Sequence, residues 1–308
     1  MAPRAPPARG LSGRGPGDAT RGGPRVRLAG FRRRGDVRDV SPVFCVRVAL
    51  GGLFRAASWF TLAAGAVQAA EPLSREWMVD GVKREALVHF PAAAGSPAPL
   101  VFVFHGHGGT ARNAARAFAL HTHWAEAVVV YPQGLNTPGR LTDPEGRRAG
   151  WQHAPGDQGD RDLRFFDAML AQLRREVAID EARVYATGHS NGGGFTYLLW
   201  AKRGEVLAAV APSAAVARDA RGDLAPKPVL HLAGRHDELV RFAWQEETIR
   251  LLRRVNGTGD GAPCAADCTV YASKSGTPVV AFIHDGAHGF PRQAPALIVR
   301  FFRENRRP

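Results

Sequence analysis

Arg183-Val184-Tyr185-Ala186-Thr187-Gly188-His189-Ser190-Asn191-Gly192-Gly193 reads as a strand that enters a tight turn and leaves it as a helix. Val184–Thr187 supplies the strand and Asn191–Ala201 the helix, with G-x-S-x-G between them. In that setting a serine is held on a strained turn with its hydroxyl exposed, and the glycines keep a Cβ from colliding with the neighbouring strand or helix. The helix N-terminus beneath Ser190 also favours negative charge developing nearby. Five letters alone could arise by chance in a chain with 35 glycines. The flanking strand and helix are what carry the reading.

Outward from this stretch, strand-length apolar runs alternate with helix-length amphipathic ones. Glu76–Val79 and Glu85–Phe90 read as an antiparallel pair around Asp80-Gly81. Leu100–Phe104 and Ala127–Tyr131 are fully apolar strands, and Arg112–Leu120 is a helix between them. Residues 162–178 place Leu163, Phe166, Met169, Leu170, Leu173 and Val177 on one helical face. Val206–Val210, Pro228–Leu232, Val270–Ser273 and Val279–Ile283 are further strands, with helices near Trp244–Val255 and Ala294–Phe302. Continuous apolar strands alternating with amphipathic helices predict an α/β fold: a mostly parallel central sheet with helices on both faces. No internal repeat or linker interrupts 71–308, which reads as one domain.

The net charge of +13 suggests a nucleic-acid binder until it is located. Residues 1–45 hold ten Arg and three Asp, or +7; residues 46–70 add two Arg, and only +4 remains for 71–308. The folded part has no basic stripe interleaved with aromatics, so no nucleic-acid partner is expected. Residues 1–45, rich in Gly, Pro, Arg and Ala, show no apolar period and are expected to be a disordered basic extension, or a misassigned start with synthesis beginning near Val46 or Val48. Residues 46–70 carry Arg47 and Arg55, the apolar run Ala56–Val67 and a small-residue exit, the pattern of a secretory signal peptide cut after Ala69 or Ala70. The run of about 12 residues is short of the roughly 20 that span a bilayer, so no stable membrane insertion is expected after cleavage. The expected location is secreted or periplasmic. Cys264 and Cys268, the two cysteines beyond that segment, are expected to form a disulfide, with two free thiols as the alternative. No second Cys/His pair accompanies them, so no metal site is expected.

A serine hydroxyl needs a base to take its proton. Among the histidines after Ser190, His231 lies inside an apolar strand and reads as core. His288, in Asp285-Gly286-Ala287-His288-Gly289-Phe290-Pro291, follows a strand on a loop bracketed by Gly and Pro, with His284 as competitor. Asp237, just past the strand ending at Gly234, is the candidate acid that would orient the imidazole, with Glu238 as runner-up. Two backbone donors for an oxyanion are expected from Asn191 N–H and from His105-Gly106-His107-Gly108-Gly109, with His107 N–H the choice and Gly108 the alternative. The His105 ring is expected to pack.

With these pieces in place, residues 74–304 resemble the secreted polyhydroxybutyrate depolymerase/feruloyl esterase family of α/β-hydrolases. The matching segments are His105–Gly109, Asp162 opening its helix, Ile179-Asp180 with Arg183–Gly193, Gly234…Asp237…Val240 and Gly286–Pro291. The resemblance implies the α/β-hydrolase fold, a Ser190-His288-Asp237 triad, and ester hydrolysis through an acyl-enzyme without cofactor or metal. It also implies a cleft lined by Trp151. Family members often have Cys where His107 stands and Trp where Phe290 stands; Phe290 is expected in the substrate cleft beside Trp151, and the substrate preference is expected to turn on Phe290 and the 133–161 loop. The expected partners are small or oligomeric esters (hydroxybutyrate oligomers, feruloyl or acetyl esters), met by a monomer. The rivals are a serine peptidase of the same fold and a non-catalytic surface- or carbohydrate-binding protein.

Overall fold

The computed structural model describes residues 70–92 and 97–308. The basic extension and the signal-peptide reading, including cleavage after Ala69, lie outside the described residues. Along β3 (Ala98–Phe104) every residue is buried, and its side chains part to two cores with the period of two that a pleated strand dictates. Leu100, Phe102 and Phe104 enter one core, while Val101 and Val103 enter the other. In β4 (Val128–Pro132), Val128 and Val130 join the first core, and Val129 and Tyr131 the second. Both faces of the sheet are therefore covered, as the continuous apolar strands required.

The order of elements in the chain starts with a hairpin, β1 (Leu73–Val79) and β2 (Val82–His89), followed by β3. Then come α1 (Ala111–Phe118), α2 (Leu120–His123), β4, and the two-residue strands β5 (Leu135–Asn136) and β6 (Ala149–Gly150). Next are α3 (Arg161–Glu176), β7 (Ile179–His189), α4 (Asn191–Arg203), β8 (Ala209–Ser213) and β9 (Val229–Gly234). The chain ends with α5 (Phe242–Asn256), β10 (Thr258–Ala265), β11 (Cys268–Ser273), β12 (Val279–His284) and α6 (Ala294–Glu304). The main sheet is ordered β1-β2-β4-β3-β7-β8-β9-β12-β11-β10. Strands β4 to β12 in that order run parallel, and an antiparallel hairpin closes each edge. Apolar side chains of α3, α4 and α5 fill one core, and those of α1, α2 and α6 fill the other. This is the α/β-hydrolase architecture.

Several boundaries differ from the sequence reading for local reasons. The helix expected to reach Leu120 stops at Phe118, because Ala119 takes a left-handed conformation (φ 45°) and a separate turn follows. The strand expected at 206–210 is shifted to Ala209–Ser213, because Val206 and Leu207 bond back to Arg203 and Gly204 in turns that close α4. Strand β10 gave no alternating signal, being Gly- and Pro-containing and exposed along nearly all its length. It is held as an edge strand by β11, and the Cys264–Cys268 disulfide staples the tip of that hairpin. So short a loop contributes roughly 2 kcal/mol at most.

One buried ion pair anchors the first helix of the β7 side. Arg84 Nη2 donates to Asp162 Oδ1 at 2.8 Å, with both side chains all but excluded from solvent. The guanidinium also lies over the Phe165 ring, 4.2 Å from its centre. Asp162 Oδ2 accepts the Gln152 N–H at 2.9 Å, so the same carboxylate ties the long segment after β6 to the scaffold.

Candidate active site

At the C-terminal end of β7 the chain turns through Ser190, whose φ of 55° and ψ of −118° lie where few L-residues rest. The turn is tight because Gly188 and Gly192 pack backbone on backbone. A Cβ on Gly192 would lie inside van der Waals contact of the Phe104 carbonyl, and one on Gly188 would meet the Gly192 carbonyl. The Ser190 N–H donates to Ser213 O at 2.9 Å, which pins the turn to the end of β8.

Two other strand ends complete a hydrogen-bonded chain. The Ser190 hydroxyl lies 2.9 Å from His288 Nε2, on the loop after β12. His288 Nδ1 lies 2.8 Å from Asp237 Oδ2, on the turn after β9. Asp237 is buried, and its remaining acceptor capacity is filled: Oδ1 accepts the N–H groups of Leu239 (3.0 Å) and Val240 (2.9 Å), and Oδ2 also accepts Gln245 Nε2 (3.0 Å). The His236 N–H donates to Gly286 O, lacing the Asp237 turn to the His288 loop.

The other histidines have other partners. His231 is fully buried and hydrogen-bonded to Tyr197 Oη at 2.7 Å. His284 Nδ1 accepts the Gly286 N–H at 3.1 Å and so shapes the His288 loop. Glu238 is exposed, and Asp285 reaches only His236. His189 lies beside the site with its ring centre 5.0 Å from that of His288. Burial, reinforced by repulsion from His288, pushes the His189 imidazole down to about 4. It therefore stays neutral across the range in which an imidazole base operates.

The candidate oxyanion donors differ in whether their N–H groups are free. The Gly108 N–H donates to Ala149 O at 2.7 Å, so this alternative is already used. Among the described residues, no protein acceptor takes the N–H of His107 or of Asn191. Both residues line the same cleft as Ser190. The His107 imidazole is itself held, with Nε2 3.1 Å from Asp143 Oδ2 and little solvent at either side chain. The His105 ring packs and also bonds, accepting the Gly134 N–H at Nε2 (3.0 Å).

Two residues expected in the cleft are not in it. Trp151 is completely buried, not a cleft residue: it stacks on Phe195, meets Phe104 edge-on, and donates Nε1–H to His105 O at 2.9 Å. The Asn191 amide clamps its backbone, accepting from Trp151 N (2.7 Å) and donating to Trp151 O (2.9 Å). Phe290 packs at a tilt of 31° against Phe118, ring centres 4.0 Å apart, and supports the His288 loop without lining the cleft. Sequence reasoning missed Gln245 and Asp143. The first had a readable signal, a polar residue on the α5 face that also carries Thr248, Ile249 and Leu252. The second sits in a polar loop without local pattern.

The cleft above Ser190 has a volume of ≈ 670 Å³, within the range of small-molecule sites. Among the described residues no group of three or more His, Cys, Asp or Glu is placed to hold a metal ion.

No family model matches the chain. Its sequence is similar to the probable feruloyl esterase C of Aspergillus niger, 25% identical over 212 residues, which are 63% of this chain and 72% of that protein. Feruloyl esterase C of Emericella nidulans is 30% identical over 121 residues, 37% of this chain and 39% of the relative. For the probable feruloyl esterases C of other Aspergillus species, the matched stretch spans about half of the relative's length. In fold, the solved acetyl xylan esterase from Aspergillus awamori superposes with a TM-score of 0.58 over 75% of this chain and 99% of that one, at 14% identity. The fold is thus that of the α/β-hydrolases, and in sequence the chain is similar to feruloyl esterases.

Proposed function

We propose that the chain is a serine carboxylic-ester hydrolase working through Ser190, His288 and Asp237. The observation that carries this reading is the unbroken chain from the Ser190 hydroxyl through both ring nitrogens of His288 to the buried Asp237 carboxylate. His288, with its proton on Nδ1 facing Asp237, takes the Ser190 proton at Nε2 as Oγ attacks the ester carbonyl. The carbonyl oxygen gains charge between the N–H groups of His107 and Asn191, at the N-terminus of α4. The intermediate collapses, His288 protonates the departing alcohol, and a water activated by the same imidazole releases the acid. Its substrates are esters of the hydroxybutyryl, feruloyl or acetyl type. The protein is exported, with residues 46–70 as its signal peptide; the Cys264–Cys268 disulfide supports an oxidising compartment.

The test is labelling with a fluorophosphonate alongside hydrolysis of p-nitrophenyl butyrate. The folded protein is expected to label at Ser190 and to turn over the ester, and the Ser190→Ala variant to do neither. Absence of labelling in folded wild-type protein would sink the reading.

A further inference from the structure

Beyond Ser190 and His288 the cleft continues along one face of α5. Trp244, Glu247, Thr248, Leu251 and Arg254 line it at helical spacing, a stretch of about 15 Å at the rise of an α-helix. The opposite wall is the segment after β8. Because Ser213 O receives the Ser190 N–H, that segment starts beside the nucleophile and leads outward to Arg218 and Arg221. Arg140, from the segment between β5 and β6, pairs with Asp219 and ties that segment to the one after β8.

The charges in this outer part do not balance. Four arginines line the cleft (Arg140, Arg218, Arg221 and Arg254) against two carboxylates, Asp219 and Glu247. Asp219 is taken by Arg140, and Glu247 is shared by Arg250 and Arg254. The nearby Asp223 is taken by Lys202. Among the described residues, Arg218 and Arg221 have no carboxylate within ion-pairing distance. His153, also in the cleft, donates Nε2–H to the Pro138 carbonyl. On a convex surface two free guanidinium groups would mean little, but a cleft with a surplus of positive charge concentrates its field on whatever enters. Opposite them stands Trp244, 44% exposed despite its size.

We propose that the outer cleft is a carboxylate-binding subsite with Arg218 and Arg221 as its recognising cations, so that the preferred ester carries a free carboxylate away from the scissile bond. The proposal rests on the esterase reading and narrows it. Simple acetyl and feruloyl esters of neutral alcohols lack such a group. A short ester-linked hydroxy-acid oligomer carries one at its end, and an oligosaccharide ester carries one if it includes an acidic sugar.

Two substrate pairs test the proposal and separate these sources. One is the 3-hydroxybutyrate dimer as free acid and as terminal carboxamide. The other is an acetylated xylo-oligosaccharide with and without a glucuronic acid branch. In wild-type protein the charged member of one pair is expected to show about tenfold higher kcat/KM, mainly through KM, the factor one charge-assisted hydrogen bond supplies. The ratio is expected to fall toward one in Arg218→Gln/Arg221→Gln, and also in about 1 M salt, where the screening length is about 3 Å. The pair that responds identifies the source. Equal kcat/KM within both pairs, a preference that survives the double substitution, or no turnover of either pair by protein that hydrolyses p-nitrophenyl butyrate would each overturn the subsite. If p-nitrophenyl butyrate itself is not hydrolysed, the esterase reading fails. The subsite is then decided by calorimetric binding of the dimer acid against its carboxamide to Ser190→Ala protein, where equal affinity, or no binding of either, overturns it.

Discussion

The catalytic end of the cleft and the wall formed by residues 133–160 are held by different kinds of bond. Ser190, Asp237 and His288 sit within a few residues of the ends of β7, β9 and β12, on turns fixed by backbone bonds such as Ser190 N–H to Ser213 O and Asp237 N–H to Gly234 O. The wall has the short β5–β6 ladder and a few turns of its own, and backbone bonds reach it from outside at Gln133 and Ala149. Side chains attach it elsewhere: Asn191 to Trp151, Asp143 to His107 and the Arg148 N–H, Arg161 to Asn136 and Thr137. Backbone bonds survive most substitutions, whereas a side-chain tie is lost with one residue. The chemistry is thus built to persist while the shape of the wall can change singly.

The largest effect expected is at Ser190. Ser190→Ala removes the attacking oxygen and should lower kcat on p-nitrophenyl butyrate by about 10⁶-fold, the scale seen when a serine nucleophile is removed. Because the turn is fixed by backbone contacts, the thermal midpoint should stay within a degree or two. A large drop in stability would show that the hydroxyl, not the backbone, holds the turn, and would break the comparison.

A different outcome is expected where the wall meets the scaffold. Asp162→Ala leaves the Arg84 guanidinium buried without its partner and removes the acceptor of the Gln152 N–H. Breaking such a pair from one side costs about 3–5 kcal/mol, or a fall of roughly 10 °C in the melting temperature of a domain this size. Arg84→Met/Asp162→Leu should recover much of the loss, since no lone charge remains buried. Calorimetric melting of the three proteins checks both expectations.

The same division decides what could be read from sequence. Each triad candidate follows a strand with glycine close by (Gly188 and Gly192, Gly234, Gly286 and Gly289), so its position is a local property of a few adjacent residues. The two cores were also legible, because buried parallel strands and one-sided helices leave their period in the sequence. Trp151 was misplaced because its surroundings depend on distant partners, the Asn191 amide and the His105 carbonyl, which no local pattern reveals. In a polar loop it read as an aromatic facing the cleft, yet it is a buried support beneath it. Phe290 was misplaced for the same reason, its partner Phe118 lying on α1. β10 escaped because an exposed edge strand needs no apolar alternation, only a neighbour to bond to.

Between wall and catalytic end lies His107, which bridges the two. Its backbone N–H faces the site while its ring is tied to Asp143, whose Oδ2 also accepts the Arg148 N–H at 2.9 Å. Asp143→Ala frees the ring without deleting the donor. We expect kcat to fall about tenfold with little change in KM for a small ester, less than the 10²–10³ that outright loss of an oxyanion donor costs. An unchanged kcat would mean that the Gly108 N–H to Ala149 O bond alone positions the loop.

The smallest effect expected concerns pH and stability, and it separates the core from the site. Burial holds His231 and His189 down to about 4, so both are neutral in the folded protein near neutrality. In the unfolded chain each takes a proton near the ordinary value of about 6.5. Above that both states are neutral and these groups add no pH dependence. As pH falls from 6.5 toward 4 only the unfolded chain gains the protons, so stability drops, by an amount on the order of 2 kcal/mol per histidine at pH 5. Below about 4 the folded state protonates as well and the loss levels off. His231 is held by Tyr197 inside the sheet and neighbours Gln245, touching neither Ser190 nor His288, so His231→Gln should flatten the fall in melting temperature between pH 7 and pH 5 while leaving the acid limb of ester hydrolysis in place. If the substitution shifts the acid limb and leaves the melting profile as steep as before, the division between a structural and a reacting histidine is wrong.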